Sequence, residues 1–330
     1  MFANKTFLIT GCQGFLGKKL LENLVNHLNE LHAKEESSSH HIYAIDNGIT
    51  SSKVIQNYPE YVSLFDANAI TFDYASLKTV DYVIHMAGLA SPAQYKRYPL
   101  ETIDVAVSLT RTLLEYSVIW KAKFLFFSSS EIYGNPDPSQ VPTPESYKGY
   151  VSSMGPRSCY DESKRLGETL CYVFQQYFSV HTSIIRPFNI YGPGMSKHDY
   201  RMVPNLMRAA IEKKPIEIYG DGKQTRTFCF LEDAIDGIIR VLKYSNSGSA
   251  YNIGNPFPEI SMVELVNMFN NATGSNVPYE FIEYPDHYPA DEPLRRCPDI
   301  SKAIRELNYK PKTELSKGLV NTFEWCCAHY

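Results

Sequence analysis

Thr10-Gly11-Cys12-Gln13-Gly14-Phe15-Leu16-Gly17 is a G-x-x-G-x-x-G run between an apolar segment, Thr6–Thr10, and an amphipathic one, Phe15–Leu31. Glycines at such a junction allow a tight strand-to-helix turn and a close backbone approach to a pyrophosphate. The helix N-terminus adds unpaired N–H groups and the positive end of its dipole. The run predicts a Rossmann-like, doubly wound α/β fold that holds a dinucleotide at its first turn. A glycine-rich turn that holds no ligand is the plainer alternative.

The flanking sequence has the period such a fold requires. Short apolar runs at Thr6–Thr10, Ile42–Asp46, Tyr61–Phe65, Asp81–Met86, Phe124–Ser128 and Thr182–Arg186 read as strands. Amphipathic segments at Phe15–Leu31, Leu100–Trp120 and Tyr160–Phe178 read as the helices between them. Nearly continuous apolar strands alternating with helices imply a parallel sheet covered on both faces. Beyond residue 187, Pro, Gly and Asn punctuate shorter elements, with helices expected at Val203–Glu212, Glu232–Tyr244, Met262–Asn271, Ser301–Leu307 and Ser316–Cys327. The expected organisation is a dinucleotide-binding domain over 1–186 and a smaller α+β substrate-binding cap over 187–330, with some chain crossing between them. The polar stretch Glu35–His41 reads as a solvated loop with both histidines exposed.

With 330 residues, 44% hydrophobic and 21% charged, the chain can bury a sizeable core and is too apolar to be disordered. Its 36 acidic residues exceed its 32 basic ones, so no cationic excess favours nucleic acid as partner. No apolar run approaches the ~20 residues of a membrane span. The seven cysteines are scattered and contain no C-x-x-C pair, which fits reduced thiols in the cytoplasm and no metal site.

Three further signals carry chemistry. Asp46 ends the second strand, where a carboxylate accepts both hydroxyls of an adenosine ribose and repels a 2′-phosphate, so NAD is expected over NADP. Asp66 ends the third strand and is either an adenine contact or an ordinary strand-end aspartate. Tyr160-Asp161-Glu162-Ser163-Lys164 places Tyr160 and Lys164 on one helix face, where an ammonium lowers the phenol pKa toward that of a general base. Tyr74 and Lys78 share the same spacing, so position decides between them: Tyr160 opens a long helix beyond the fifth strand. Finally, Ser128-Ser129-Ser130-Glu131-Ile132-Tyr133-Gly134 follows that strand, at the carboxyl edge where doubly wound sheets bind ligands. Its hydroxyls can hold a substrate oxygen and Glu131 can move a proton. Taken alone, it would be a serine-rich turn.

Together the glycine run, the Tyr-Lys pair and the strand-end hydroxyls resemble the extended short-chain dehydrogenase/reductase family that acts on nucleotide sugars, over essentially the whole chain. Ala90-Ser91-Pro92-Ala93-Gln94-Tyr95, Ser129–Gly134, Gly155-Pro156-Arg157-Ser158-Cys159-Tyr160-Asp161-Glu162, Gly222-Lys223-Gln224-Thr225-Arg226 and Arg295–Ile300 are most similar to its UDP-glucuronic acid decarboxylases.

The resemblance implies that NAD is held by Gly11, Gly14, Phe15, Leu16 and Gly17, by Asp46 and Asn47, by Asp66, Ala67 and Ala87, and by Tyr160 and Lys164. It implies catalytic roles for Ser129, Ser130, Glu131, Tyr160, Lys164 and Arg296. Tyr160 would deprotonate the sugar 4-hydroxyl and Ser129 would bond the same oxygen. Glu131 and Arg296 would serve the loss of CO₂. Nucleotide-sugar contacts are implied for Ser91, Tyr95, Asn189, Arg201, Val203, Tyr219 and Arg226. A homodimer built through Leu100–Trp120 and Tyr160–Phe178 is implied as well.

The sequence departs from the decarboxylase pattern at Asp104, Ser163, Gly194 and Tyr200. A 4-epimerase, a 4,6-dehydratase or a C4 oxidoreductase of the same family are the alternatives. Glu131 without a preceding aspartate disfavours the dehydratase, and Glu131 with Arg296 disfavours the epimerase.

Overall fold

The structure, a computed structural model, describes residues 2–34, 39–49, 58–284 and 293–330. The first half runs β1 (Thr6–Thr10), α1 (Phe15–Ala33), β2 (His41–Asp46), β3 (Val62–Asp66), β4 (Tyr82–His85), α2 (Pro92–Arg97), α3 (Pro99–Asp104), α4 (Thr110–Trp120), β5 (Lys123–Phe127), α5 (Ser158–Phe178) and β6 (Thr182–Pro187). The second half runs β7 (Ile190–Tyr191), α6 (Met202–Glu212), β8 (Ile216–Tyr219), β9 (Thr225–Arg226), β10 (Cys229–Phe230), α7 (Leu231–Tyr244), β11 (Ser249–Ile253), β12 (Ile260–Ser261), α8 (Met262–Thr273), β13 (Tyr279–Ile282), β14 (Arg295–Arg296), α9 (Ser301–Leu307) and α10 (Leu315–His329).

Seven strands form one parallel sheet in the order β11-β6-β5-β4-β1-β2-β3. The strand order reverses between β1 and β4, which opens a crevice at their carboxyl ends. Alternate residues serve opposite faces. Phe7, Ile9, Ile42, Ala44, Ile84 and Leu125 join α1 and α7 in one core. Leu8, Tyr43, Ile45, Val83, Phe124 and Phe126 join α4 and α5 in another. This two-sided burial is why the strands read as apolar runs rather than alternating ones. A third core, around Leu206, Met207, Leu265, Phe269 and Leu319, belongs to the second half. There α8 is started by a reciprocal cap between Ser261 and Glu264 and stopped by Gly274 in the left-handed region.

Strand β11 is not among the strands expected from sequence. It is a five-residue edge strand whose first two residues are only half-buried, so its apolar signal is weak. Through it the second half of the chain returns to the first half's sheet. The segment Leu100–Trp120, expected as one helix, falls in α3 and α4, which are joined by a π-helical turn at Val105–Leu109. Helix α5 crosses at that turn. A Cβ on Gly167 would lie 2.4 Å from the Phe126 ring and 2.9 Å from Ala106 O, so only glycine lets α5 seat this close to the sheet. His40 is buried rather than solvated, because its ring packs edge-on against Tyr61 at 4.3 Å. Residues 35–38 of that stretch lie outside the described residues.

Candidate active site

The glycine run folds as its chemistry demands. Gly11 adopts φ +76° and its N–H donates to Ile45 O at 2.9 Å. A Cβ there would lie 2.5 Å from Ala87 N, and one on Gly17 would lie 2.1 Å from Gly11 O. Gly14 stands before the first residue of α1, which has no side-chain cap, so the first N–H groups of Phe15, Leu16 and Gly17 are left for a ligand. The Asp46 carboxylate reaches back to this loop, accepting from Gln13 N and from Gly48 N, both at 2.8 Å. Asp66 is its neighbour across the β2–β3 register, and Ala67 N donates to Asp46 O at 3.0 Å. The Asn47 side chain accepts from Ile49 N within its own turn. Ala87 N approaches the Thr10 hydroxyl at 3.5 Å.

The carboxyl end of β5 and the first turns of α5 meet beside this loop. Tyr160 is 4% exposed and stacks on Tyr95 with ring centroids 5.3 Å apart. The Ser129 hydroxyl bonds the Tyr160 oxygen, and Ser129 also caps the short turn at Ser130–Tyr133 by accepting from Glu131 N at 3.2 Å. Ser130 is buried beside it. Lys164 Nζ donates to Phe127 O at 2.7 Å and lies 5.9 Å from the Tyr160 ring centroid.

Here the structure corrects the expected electrostatics. Burial pushes the phenol up to about 12, while the Ser129 bond and the Arg201 charge pull it down and Glu131 and Asp161 push it further up. The Lys164 ammonium is occupied by a backbone carbonyl, and burial lowers it to about 8. Its contribution to Tyr160 is that of a neighbour fixed in place rather than of the dominant charge.

A compact group of charges lies next to the phenol. Arg296, from β14, grips Glu131 with both guanidinium arms, at 2.5 and 2.8 Å. Arg157, immediately before α5, donates to the same Glu131 carboxylate and also reaches Asp161 Oδ2 at 3.4 Å. All four side chains are at least four-fifths buried. Burial, then the charge of Glu131, pushes the Asp161 carboxyl up to about 7. The sequence reading assigned no role to Arg157 or Asp161. Both stood in the Gly155–Glu162 run, and their four-residue spacing across the start of a helix was the signal available.

The remaining expected residues lie around this group. Arg201, side chain 42% exposed, is chelated by Asp199 and acts electrostatically on Tyr160 and Glu131. Arg226 sits beside Arg296 in the β9–β14 register and donates to Thr225 O and Leu294 O. Asn189, at φ +42°, donates to Thr227 O at 2.9 Å, next to a buried Thr227 hydroxyl with no partner among the described residues. Ser91 precedes α2 without capping it by its side chain. Val203 is buried in the third core, and Tyr219 stacks on Tyr284 at 5.6 Å. Gly194 takes φ +94°, and Tyr200 is exposed beneath the Arg208 guanidinium.

The sequence profile of the NAD dependent epimerase/dehydratase family matches residues 7–254. The chain belongs to this family. Among its curated members, the chain is 37% identical over 314 residues to UDP-glucuronic acid decarboxylase 1 of Arabidopsis thaliana, covering 94% of this chain and 67% of that protein. It is 33% identical over 323 residues to UDP-glucuronic acid decarboxylase 1 of Xenopus tropicalis, covering 97% of this chain and 72% of that one. The chain thus spans about two-thirds of the length of the Arabidopsis relative. Among solved structures it superposes on UDP-glucuronic acid 4-epimerase from Bacillus cereus, in complex with UDP-glucuronic acid and NAD. That match has a TM-score of 0.81 and 26% identity, and covers 98% of this chain and 100% of the epimerase. Members of this family are NAD-dependent enzymes, and the residues fit that cofactor: a backbone cradle that no side chain could enter, an uncapped helix N-terminus and a β2-terminal carboxylate. Among the described residues no helix is long and apolar enough to cross a membrane.

Proposed function

We propose that this chain is an NAD-dependent UDP-glucuronic acid decarboxylase. The observation that carries the reading is the Arg296–Glu131–Arg157 cluster beside Tyr160 and Ser129: two buried guanidiniums at a site for oxidising a sugar carbinol. An oxidoreductase or epimerase acting on an uncharged sugar has no use for them, whereas a sugar carboxylate does.

The cofactor would be held by the loop from Gly11 to Gly17 and by Asp46 and Lys164, within residues 1–186. The nucleotide diphosphate would be held by Asn189, Arg201 and Arg226 from the cap. NAD, when bound, supplies a reversible two-electron oxidation at the sugar C4. The chain's own residues do the rest. Tyr160 takes the proton of the 4-hydroxyl, and Ser129 donates to that oxygen as its charge develops. The sugar acid oxidised at C4 is a β-keto acid. Its C–CO₂ bond breaks, and the electron pair passes into an enolate whose oxygen Tyr160 and Ser129 already hold. Arg296 and Arg157 orient the departing carboxylate, and Glu131 keeps both arginines in place.

The helices α3, α4 and α5 expose Leu100, Ile119, Leu166, Tyr172 and Tyr177, which supports a homodimer through this face. The seven free thiols support a reducing compartment, the cytoplasm.

The test is mass spectrometry of UDP-glucuronic acid incubated with protein and NAD. Loss of CO₂ to a UDP-pentose is expected. An unchanged mass with a shifted retention time would establish 4-epimerisation, which the likeness to the Bacillus cereus epimerase makes the second reading.

A further inference from the structure

Glu131 and Arg296 are joined a second time, underneath their ion pair. Two residues beyond Glu131, the buried Tyr133 hydroxyl donates to Asn252 Oδ1 at 2.8 Å. Three residues beyond Arg296, the Asp299 carbonyl accepts from Asn252 Nδ2 at 3.0 Å. The same nitrogen donates to Thr143 O at 2.9 Å. Thr143 pairs with the segment that leaves Arg296: its N–H donates to Cys297 O at 2.8 Å, and its carbonyl accepts from Asp299 N at 3.0 Å. A closed ring results. It runs from Glu131 through Tyr133, Asn252 and Asp299 to Arg296, and back across the ion pair.

The direction of every bond in this ring is dictated from one end. A guanidinium can only donate. Arg186 Nη1 donates to the Tyr133 oxygen at 2.8 Å, and Arg186 is itself held by both oxygens of Glu168, at 2.9 and 2.6 Å. The Tyr133 proton is thereby turned toward Asn252. That sets the amide oxygen against Tyr133 and the amide nitrogen against the two carbonyls. Asn252 lies on β11 and is fully buried, and its backbone N–H donates to Glu145 Oε1 at 2.8 Å. A buried amide is costly unless its bonds are made, so each partner is held to a narrow position.

We infer that Asn252 is a positioning residue: it sets the Arg296 segment against the Glu131 turn, and so governs the carboxylate step from beneath. This rests on the decarboxylase reading and adds to it. The C4 chemistry is placed by other means, since Tyr160 and Lys164 ride on α5 and bond Ser129 and Phe127 O.

The experiment compares two reactions in Asn252→Asp and Tyr133→Phe. The first is CO₂ release from UDP-glucuronic acid by the NAD-loaded protein. The second is reduction of a UDP-4-keto-pentose by the NADH-loaded protein, followed by NADH absorbance; it uses Tyr160 and Ser129 and involves no carboxylate. Asn252→Asp sets a carboxylate oxygen against the two carbonyls. Tyr133→Phe removes one oxygen and frees the amide to turn, while the turn keeps its bonds from Gly134 N to Glu131 O and from Tyr150 N to Tyr133 O. Each variant should lower kcat/KM for CO₂ release by about 10²-fold, the cost of a small misplacement at a reacting site, and leave the reduction rate unchanged. Added to Arg296→Lys, Tyr133→Phe should cost nothing more, because both act through one guanidinium. Tyr133→Phe keeps the test if Asn252→Asp does not fold. Equal loss in both reactions would make Asn252 a general structural residue. Intact CO₂ release in folded variants, or losses that add in the double variant, would show that Arg296 is placed without it. Each of these results overturns the inference and leaves the decarboxylase reading standing. A wild-type protein that reduces the keto sugar but releases no CO₂ overturns both.

Discussion

The two ends of the crevice are built by opposite means. At the glycine loop, backbone meets backbone: Gly17 against Gly11 O, Gly11 against Ala87 N, with a single carboxylate, Asp46, tying the turn together. At the sugar end, side chain meets side chain: Glu131, Arg157, Asp161 and Arg296 converge from the turn after β5, helix α5 and strand β14. The first arrangement admits only one residue type at each glycine position. The second is a charge balance, in which any member can be replaced at a cost set by its partners. The first construction tolerates no side chain, and the second can be retuned one residue at a time.

Breaking each end separately sharpens this contrast. The largest effect is expected from Tyr160→Phe, at the junction of the two ends: turnover should fall by about 10³-fold, the range of a lost general base, with NAD retained in the purified protein. Loss of both would mark Tyr160 as a structural residue. At the loop, Gly17→Ala forces a methyl group onto Gly11 O, and overpacking of about 3 kcal/mol would weaken NAD binding by about 10²-fold by equilibrium dialysis. Unchanged affinity would show that the loop yields, and the contrast would fail. Asp46→Ala removes an acceptor of charged hydrogen bonds and should weaken NAD by about tenfold while leaving the KM for sugar nucleotide unchanged.

The smallest effect lies at the sugar end. Asp161 titrates at about 7 when folded, above its ordinary range, so its contribution to stability is complete at low pH and lost as pH rises toward 7. Asp161→Asn does not titrate. Its Tm relative to wild type should therefore be higher at pH 8 than at pH 5, by about 2 °C for roughly 1 kcal/mol. A difference independent of pH would remove Asp161 from the set of perturbed carboxyls.

The same contrast explains what the sequence disclosed. The glycine run and the strands up to β6 are contiguous, and burial on both faces makes each strand a dense apolar signal. Tyr160 and Lys164 are one helical turn apart. Glu131 and Arg296 are 165 residues apart, and only the family resemblance joined them before the structure did. Arg157 and Asp161 went unassigned because an i, i+4 pair of opposite charges is the commonest ornament of an exposed helix; burial, which periodicity does not report at a helix end, makes this one different. The edge strand β11 was missed for a related reason: two of its five residues are only half-buried. The Lys164–Tyr160 coupling was overstated because spacing cannot show that Phe127 O engages the ammonium.

Gly167 ties these observations together. The absent methyl group lets α5 rest directly on the Phe126 ring, and that contact sets the depth at which Lys164 reaches Phe127 O and Tyr160 meets Ser129. Nearly three turns of helix separate this seat from Arg157 and about two separate it from Tyr160, so the helix works as a beam clamped at one point, with Lys164 near the clamp and the charged cluster at its free end. Residues at the free end can be exchanged without moving the clamp.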